Sequence, residues 1–274
     1  MSRIFLFWFA LALALNAPAA DSPESLLRAV NSAARTNLPA ALALCDQAVA
    51  AAPSNAQPLS VRARLLEGAR RYDDAVRDLT AALKLDPKHA PYWQGRGENN
   101  FKAGHFAASV ADFDRVLELS PDQAPHHWQR GISLYYAKRF TDGRKQFESH
   151  LTVNPNDVEN AVWHFLCTAR ETSVTNARAI IVPAGPDGRV PMVQVDALYR
   201  GTGTVEQVWE TARASRSRDA LFYAHLYLGL YFDALGDVAK AREHIKQAAE
   251  DPNSAHYMGD VARVHWRTML ASSR

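Results

Sequence analysis

Pro53, Pro87, Pro121 and Pro155 stand 34 residues apart, and each closes a similar phrase. Leu38, Tyr72, Phe106 and Phe140 keep the same interval, as do Cys45, Leu79, Phe113 and Phe147. Two columns of small residues run beside them: Ala29, Ala63, Gly97 and Gly131, then Ala41, Ala75, Ser109 and Gly143. A fixed period of this length constrains the fold more than any composition does. A unit of this size is one supersecondary element that cannot bury its apolar face alone, so the units must stack.

The columns predict two helices and a turn in each unit. The large apolar positions recur at helical spacing and fill the space between neighbours. The small positions let paired helices approach closely. Proline ends the second helix because it lacks an N–H and clashes with the preceding turn.

The period breaks after Pro155. Val158 to Glu171 still reads as a helix, followed by the proline- and glycine-dense "VPAGPDGRVP", Val182 to Pro191. Met192 to Arg200 and Val205 to Ala214 read as two short helices split by Gly201-Thr202-Gly203. A repeat resumes with Gly229, Phe232, Gly236, Ala241, Ile245 and Ala248, out of register with the first block. Ser254 to Leu270 reads as a capping helix whose Tyr257, Val261, Val264 and Met269 cover the open end.

The N-terminus carries a basic start, an apolar run from Ile4 to Leu15 and Ala17-Pro18-Ala19. These features predict a secretory signal peptide over residues 1–19, with export to the periplasm. The apolar run is shorter than the roughly 20 residues that span a bilayer, and no transmembrane helix is expected after cleavage. The expected divisions are an N-terminal repeat block over 20–157, an irregular helical segment over 158–217, and a final repeat with its capping helix over 218–274. Removal of residues 1–19 takes away Arg3 and no acid, leaving 30 bases against 29 acids. Such a balance offers no electrostatic case for nucleic acid or an anionic membrane.

The unit resembles the tetratricopeptide repeat. Ala90 to Gln123 carries Trp93, Gly97, Gly104, Phe106, Phe113 and Pro121 at family positions, and departs at Asn100 and Ser109. The resemblance implies an all-α, helical-hairpin solenoid with an irregular helical insertion and a C-terminal capping helix. The order of repeat block, "ENAVWHFLCTAR", "PMVQVDALYRG" and final repeat is similar in layout to the bacterial lipoprotein NlpI family. That likeness implies a periplasm-facing homodimeric adaptor that brings cell-wall hydrolases together with a protease. The first cysteine is Cys45, so the lipid-attachment cysteine of that family is missing.

In such stacks the first helices line a concave groove that takes protein or peptide partners. The family's groove positions fall here on Gln57, Ser60, Arg64 and Glu67; on Gln94, Glu98, Phe101 and Lys102; and on Trp128, Ile132, Tyr135 and Tyr136. Arg64, Gln94, Glu98, Lys102, Trp128, Ile132 and Tyr135 are the candidate partner-binding residues. Gln94 and Glu98 stand where the family's carboxylate clamp needs a base and asparagines, which argues against acidic tails as ligands. The aromatic row either anchors a partner or packs against the helices after Pro155.

No catalytic, cofactor-binding or metal-binding set emerges. The ten histidines show no His-Glu-x-x-His spacing. In "PDQAPHHWQRG", His126 and His127 point about 100° apart on a helix, which suits one tetrahedral metal poorly. That stretch reads as a repeat boundary, with Asp122 or a near neighbour capping the next helix and Pro125 in its first turn. His225 and His244 lie on adjoining helices and can approach each other. Cys45 and Cys167 read as separate buried thiols. Asp73-Asp74 and Asp112/Asp114 read as solvated charges on second helices, and Gly95-x-Gly97 lies inside a helix rather than in a phosphate loop. Trp93, Trp128 and Trp163 are 35 apart on a 34-residue period, so each advances about 100° from the packing seam towards the groove. The runners-up are an outer-membrane or secretion assembly factor and a hydrolase with its site in residues 172–214.

Overall fold

The structure, a computed structural model, describes residues 22–272; the expected signal peptide lies outside the described residues. It is all-helical. Four hairpins open the chain: α1 (Pro23–Ala33) with α2 (Leu38–Ala51), α3 (Ala56–Gly68) with α4 (Tyr72–Leu85), α5 (Ala90–Ala103) with α6 (Phe106–Leu119), and α7 (Trp128–Tyr136) with α8 (Phe140–His150). Side-chain oxygens of Ser22, Asn37 and Asn55 accept first-turn N–H groups and start α1, α2 and α3. The hairpin turns pass through left-handed backbone at Arg70, Gly104 and Lys138, which share one repeat position. Glycine adopts that conformation freely, whereas Arg70 and Lys138 bear its steric cost.

The small and large columns interlock as pairs. A Cβ on Gly97 would sit 2.6 Å from the Phe113 ring, and one on Gly131 would sit 2.6 Å from the Phe147 ring. Where the large column holds Leu79, its partner is Ala63. Ala29 is exposed, and Cys45 packs with Val30 and Ala41 instead. The loss of one Cβ makes room for one ring. The two family departures are also paired. Asn100 donates to Asp112 at 2.8 Å, and Ser109 and Ser133 share a hydrogen bond of 2.9 Å.

A polar ladder runs beside the apolar columns. Arg62 bonds Asp78 on its own hairpin and Asp46 on the preceding one. Arg96 repeats this with Asp112 and Thr80, and Arg130 with Gln146 and Asp114. His164 takes the same place one period later and faces Glu148 at 3.4 Å. The expectation that Asp112 is a solvated charge is therefore corrected. It is 3 % exposed and holds both Arg96 and Asn100. A buried carboxylate without such donors would face a desolvation cost of several kcal/mol.

The stack continues through the irregular segment. α9 (Val158–Glu171) packs on α8 and pairs with α10 (Val174–Ile180). α11 (Met192–Arg200) and α12 (Val205–Ala214) form the next pair, and α13 (Arg218–Leu235) and α14 (Val238–Glu250) the last. Met192, Val195, Leu198 and Tyr199 are buried against this trunk, and the Tyr199 hydroxyl donates to the Tyr227 carbonyl at 2.8 Å. The loop before α11 is latched to the start of α9. Arg189 bonds Asp157, Glu159 and Asp187, the Asp187 carboxylate accepts from the Val158 N–H at 3.3 Å, and Gly185 N–H donates to the Pro155 carbonyl at 2.9 Å.

The final helix, α15 (Tyr257–Ala271), packs on α14 and then reaches α5 on the inner face of the stack. Val261, Val264 and Met269 are buried. Tyr257 lies on Phe101 and meets Trp128 edge-on, with centroids 5.6 Å and 5.0 Å apart. Tyr136 and His265 share a hydrogen bond of 2.9 Å, and Lys102 meets Glu67 and Asp260. Arg267 also donates to the Lys102 carbonyl. One apolar core thus runs from Phe101 to Met269, while α1 to α4 contribute three smaller clusters.

Candidate functional site

The seven candidate groove residues meet four fates. Arg64 is exposed on α3. Gln94 and Glu98 are half-buried and form a small network with Gln129, with N–O distances of 2.8 to 3.0 Å. Lys102, Ile132 and Tyr135 are 6 %, 1 % and 6 % exposed. These three are corrected as open groove positions. Lys102 is held by Glu67 and Asp260, while the Tyr135 ring packs edge-on against Trp163 and its hydroxyl accepts from Arg170 at 3.3 Å. The aromatic end of the groove meets its own chain, chiefly α15 and α9, rather than the helices of residues 172–214.

Trp128 keeps one open side. It borders a cavity of about 580 Å³ enclosed by the start of α7, the α8–α9 turn, and residues of α9, α13 and α15. Trp128, Trp163, Tyr223 and Tyr257 supply its aromatic wall, with Phe147 and Ile132 behind. Asp157 and Glu159 supply carboxylates, and His126, His150 and His256 stand at the polar side. Repeat geometry explains the placement. The three tryptophans drift inward as their spacing requires: the Trp93 indole N–H reaches the Pro87 carbonyl at the surface, Trp128 borders the cavity, and Trp163 is buried.

The acids of this cavity are fixed before any ligand arrives. Asp157 caps α9 by accepting from the Glu159 N–H at 3.1 Å and lies 3.8 Å from the His150 Nε2. That ion pair raises the His150 pKa, against the opposing effect of burial. Glu159 accepts from Arg189 at 2.6 Å and from the Tyr227 hydroxyl, yet burial still pushes its carboxyl above the usual carboxylate range. Four polar atoms of lining side chains, the His150 Nε2, the Asn160 Oδ1, the Trp163 Nε1 and the Tyr257 hydroxyl, are buried without a hydrogen-bond partner. Sequence reasoning passed over Asp157, Glu159 and Asn160 because they sit in one helix start; only the latch from Arg189 brings out their importance.

The remaining sequence candidates are structural. The stretch Pro121–His126 forms a 3-10 turn, and α7 begins after it with His127, not Asp122, as its cap. Pro125 donates no N–H and disfavours helical backbone before it, which delays the helix. The His127 ring nitrogen accepts from the Arg130 N–H at 3.3 Å, and burial lowers its pKa to about 4. His225 and His244 do meet, with Nδ1 atoms 3.3 Å apart beside Trp209. Among the described residues no group of three or more His, Cys, Asp or Glu could hold a metal ion. Cys45 and Cys167 are buried free thiols, and burial pushes the Cys45 thiol up to about 11. No helix among the described residues is long and apolar enough to cross a membrane. Residues 172–214 contain neither histidine nor cysteine.

Residues 61–124 match the family model of the tetratricopeptide repeat. No curated protein matches the chain in sequence. Among solved structures, a tetratricopeptide repeat protein from Parabacteroides merdae is similar with a TM-score of 0.57 at 14 % identity, over 90 % of this chain and 98 % of that one. A MamA protein gives 0.54 at 13 % identity, over 71 % and 96 %. A MamA fragment from Desulfovibrio magneticus gives 0.53 at 16 % identity, over 58 % and 90 %. Likeness at these identities shows the fold: the described residues form an all-helical solenoid similar to these proteins, and residues 61–124 carry the tetratricopeptide repeat.

Proposed function

We propose that this chain is a non-catalytic scaffold that binds a segment of a partner protein in the cavity beside Trp128. One observation carries the reading: a preformed, partly open aromatic cavity of about 580 Å³ held on rigid repeat helices. Fixed walls spare the ordering cost that a mobile loop would bear on binding, and aromatic anchors in a concave site contribute most of the energy at protein interfaces. The polar positions Arg64, Gln94 and Glu98 extend the inner surface away from the cavity, where an extended segment can continue.

The setting belongs to the same proposal. The signal-like N-terminus supports action in the periplasm, and the NlpI-like layout supports recruitment of envelope hydrolases or proteases and a homodimeric state. A photo-crosslinking residue at position 126, on the cavity rim, should give a defined protein adduct in envelope preparations. The same residue at the exposed position 111 should not. Equal yields from both positions, or none, would overturn the reading. N-terminal sequencing should begin at Ala20, and sedimentation of the purified chain should give a dimer.

A further inference from the structure

The charges around the cavity do not cancel. Among the described residues Arg189 is the one guanidinium answering Asp157, Glu159 and Asp187. The cluster keeps two net negative charges; its Asp157 and Glu159 line a wall that also carries four aromatic rings, while Asp187 sits outside the lining. A protonated His150 still leaves one in excess. Such a wall disfavours acidic ligands and favours a cation, because aromatic faces attract a partly desolvated positive charge and carboxylates attract it more. The unpartnered lining atoms suit a peptide as well: the Asn160 Oδ1 accepts a hydrogen bond and the Trp163 N–H donates one.

We propose that the cavity takes an arginine or lysine side chain carried by an extended segment of the partner protein. The inference rests on the scaffold reading and adds the chemistry that selects the partner. The positive side chain sits between the Trp128 and Tyr257 rings and the Asp157 carboxylate, while backbone groups of the segment meet the rim. Guanidinium fits this setting better than ammonium, since it is planar, weakly hydrated and stacks on rings.

The test uses the full chain as bait for a displayed library of random twelve-residue peptides. Enriched peptides should share an arginine or lysine. Replacing that arginine by citrulline, which keeps the shape and removes the charge, should weaken binding at least tenfold. Val153, 38 % exposed on the cavity rim, allows a charge change without touching the core. Val153→Arg should weaken the basic peptides at least tenfold, and Val153→Glu should leave them within threefold or tighten them. Enriched peptides without a basic residue, insensitivity to citrulline, or equal loss in both Val153 variants would overturn the inference and leave the scaffold reading standing. Recovery of no peptide would overturn both.

Discussion

The ring of Tyr257 lies almost flat on that of Phe101, with planes 13° apart, although the two helices come from opposite parts of the chain. This contact, with the Tyr257–Trp128 edge, joins α15 to the first block of repeats. Tyr257→Ala should therefore lower stability by about 3 kcal/mol, within the range for deleting a large packed aromatic side chain. Urea unfolding reads that cost. Hydrogen exchange should speed up on α5 in the same variant, and unchanged exchange there would show that α15 is not fastened to α5.

Adding a methyl group to Gly97 tests the interlocked columns. Glycine inside a helix normally costs about 0.5–1 kcal/mol relative to alanine, so propensity alone favours Gly97→Ala. The new Cβ would meet the Phe113 ring at 2.6 Å, and overpacking of that kind costs about 1–3 kcal/mol. The clash should win, and the urea midpoint should fall. Adding Phe113→Leu recreates the pairing of Ala63 with Leu79 and should recover part of the loss.

The ladder of arginines predicts unequal costs for two similar substitutions. Asp112→Ala strips a buried partner from Arg96 and Asn100 and should cost about 3 kcal/mol. Asp46→Ala removes an exposed partner of Arg62, which keeps Asp78, and should cost about 0.5 kcal/mol or less. Equal effects would show that burial does not set the value of these pairs.

Acid should weaken the fold before the carboxylates titrate. Burial lowers the pKa values of His127 and His225 to about 4 and also lowers those of His164 and His244. Between about pH 6.5 and 4 the unfolded chain then binds protons that the folded chain refuses, so stability falls as pH drops through that window. His150 opposes this, since its raised pKa adds stability that fades as pH rises. The Glu159 carboxyl, raised by burial, opposes the fall too. Four groups act against two, and the urea midpoint should decline from pH 7 to pH 5. His225→Gln should flatten the decline.

Local features were legible in the sequence. Val158–Glu171, Met192–Arg200 and Val205–Ala214 are helices with the bounds their patterns predict. Their apolar spacing and turn residues are local signals, and local signals survive folding. The column of Arg62, Arg96 and Arg130 shares the 34-residue period, yet it is visible only when polar positions are aligned as carefully as apolar ones. α10 is seven residues long, too short for a periodic pattern to show. The path of α15 was not legible. A capping helix and an inserted one need the same apolar stripe, and the choice depends on curvature accumulated over every preceding pair. For that reason Lys102 reads as a groove residue and is buried instead, held by Asp260 and Arg267 of α15.

The contacts from α15 to α5 carry one more consequence. An open solenoid has no preferred length, because each unit touches only its neighbours and copies can be gained or lost at little cost. Here Arg267 must arrive at Lys102, and Tyr257 at Trp128. One unit more or fewer between them would carry the end of the chain past its seat. The molecule has therefore become countable: its number of hairpins is a property of the fold, as the number of strands is in a closed barrel.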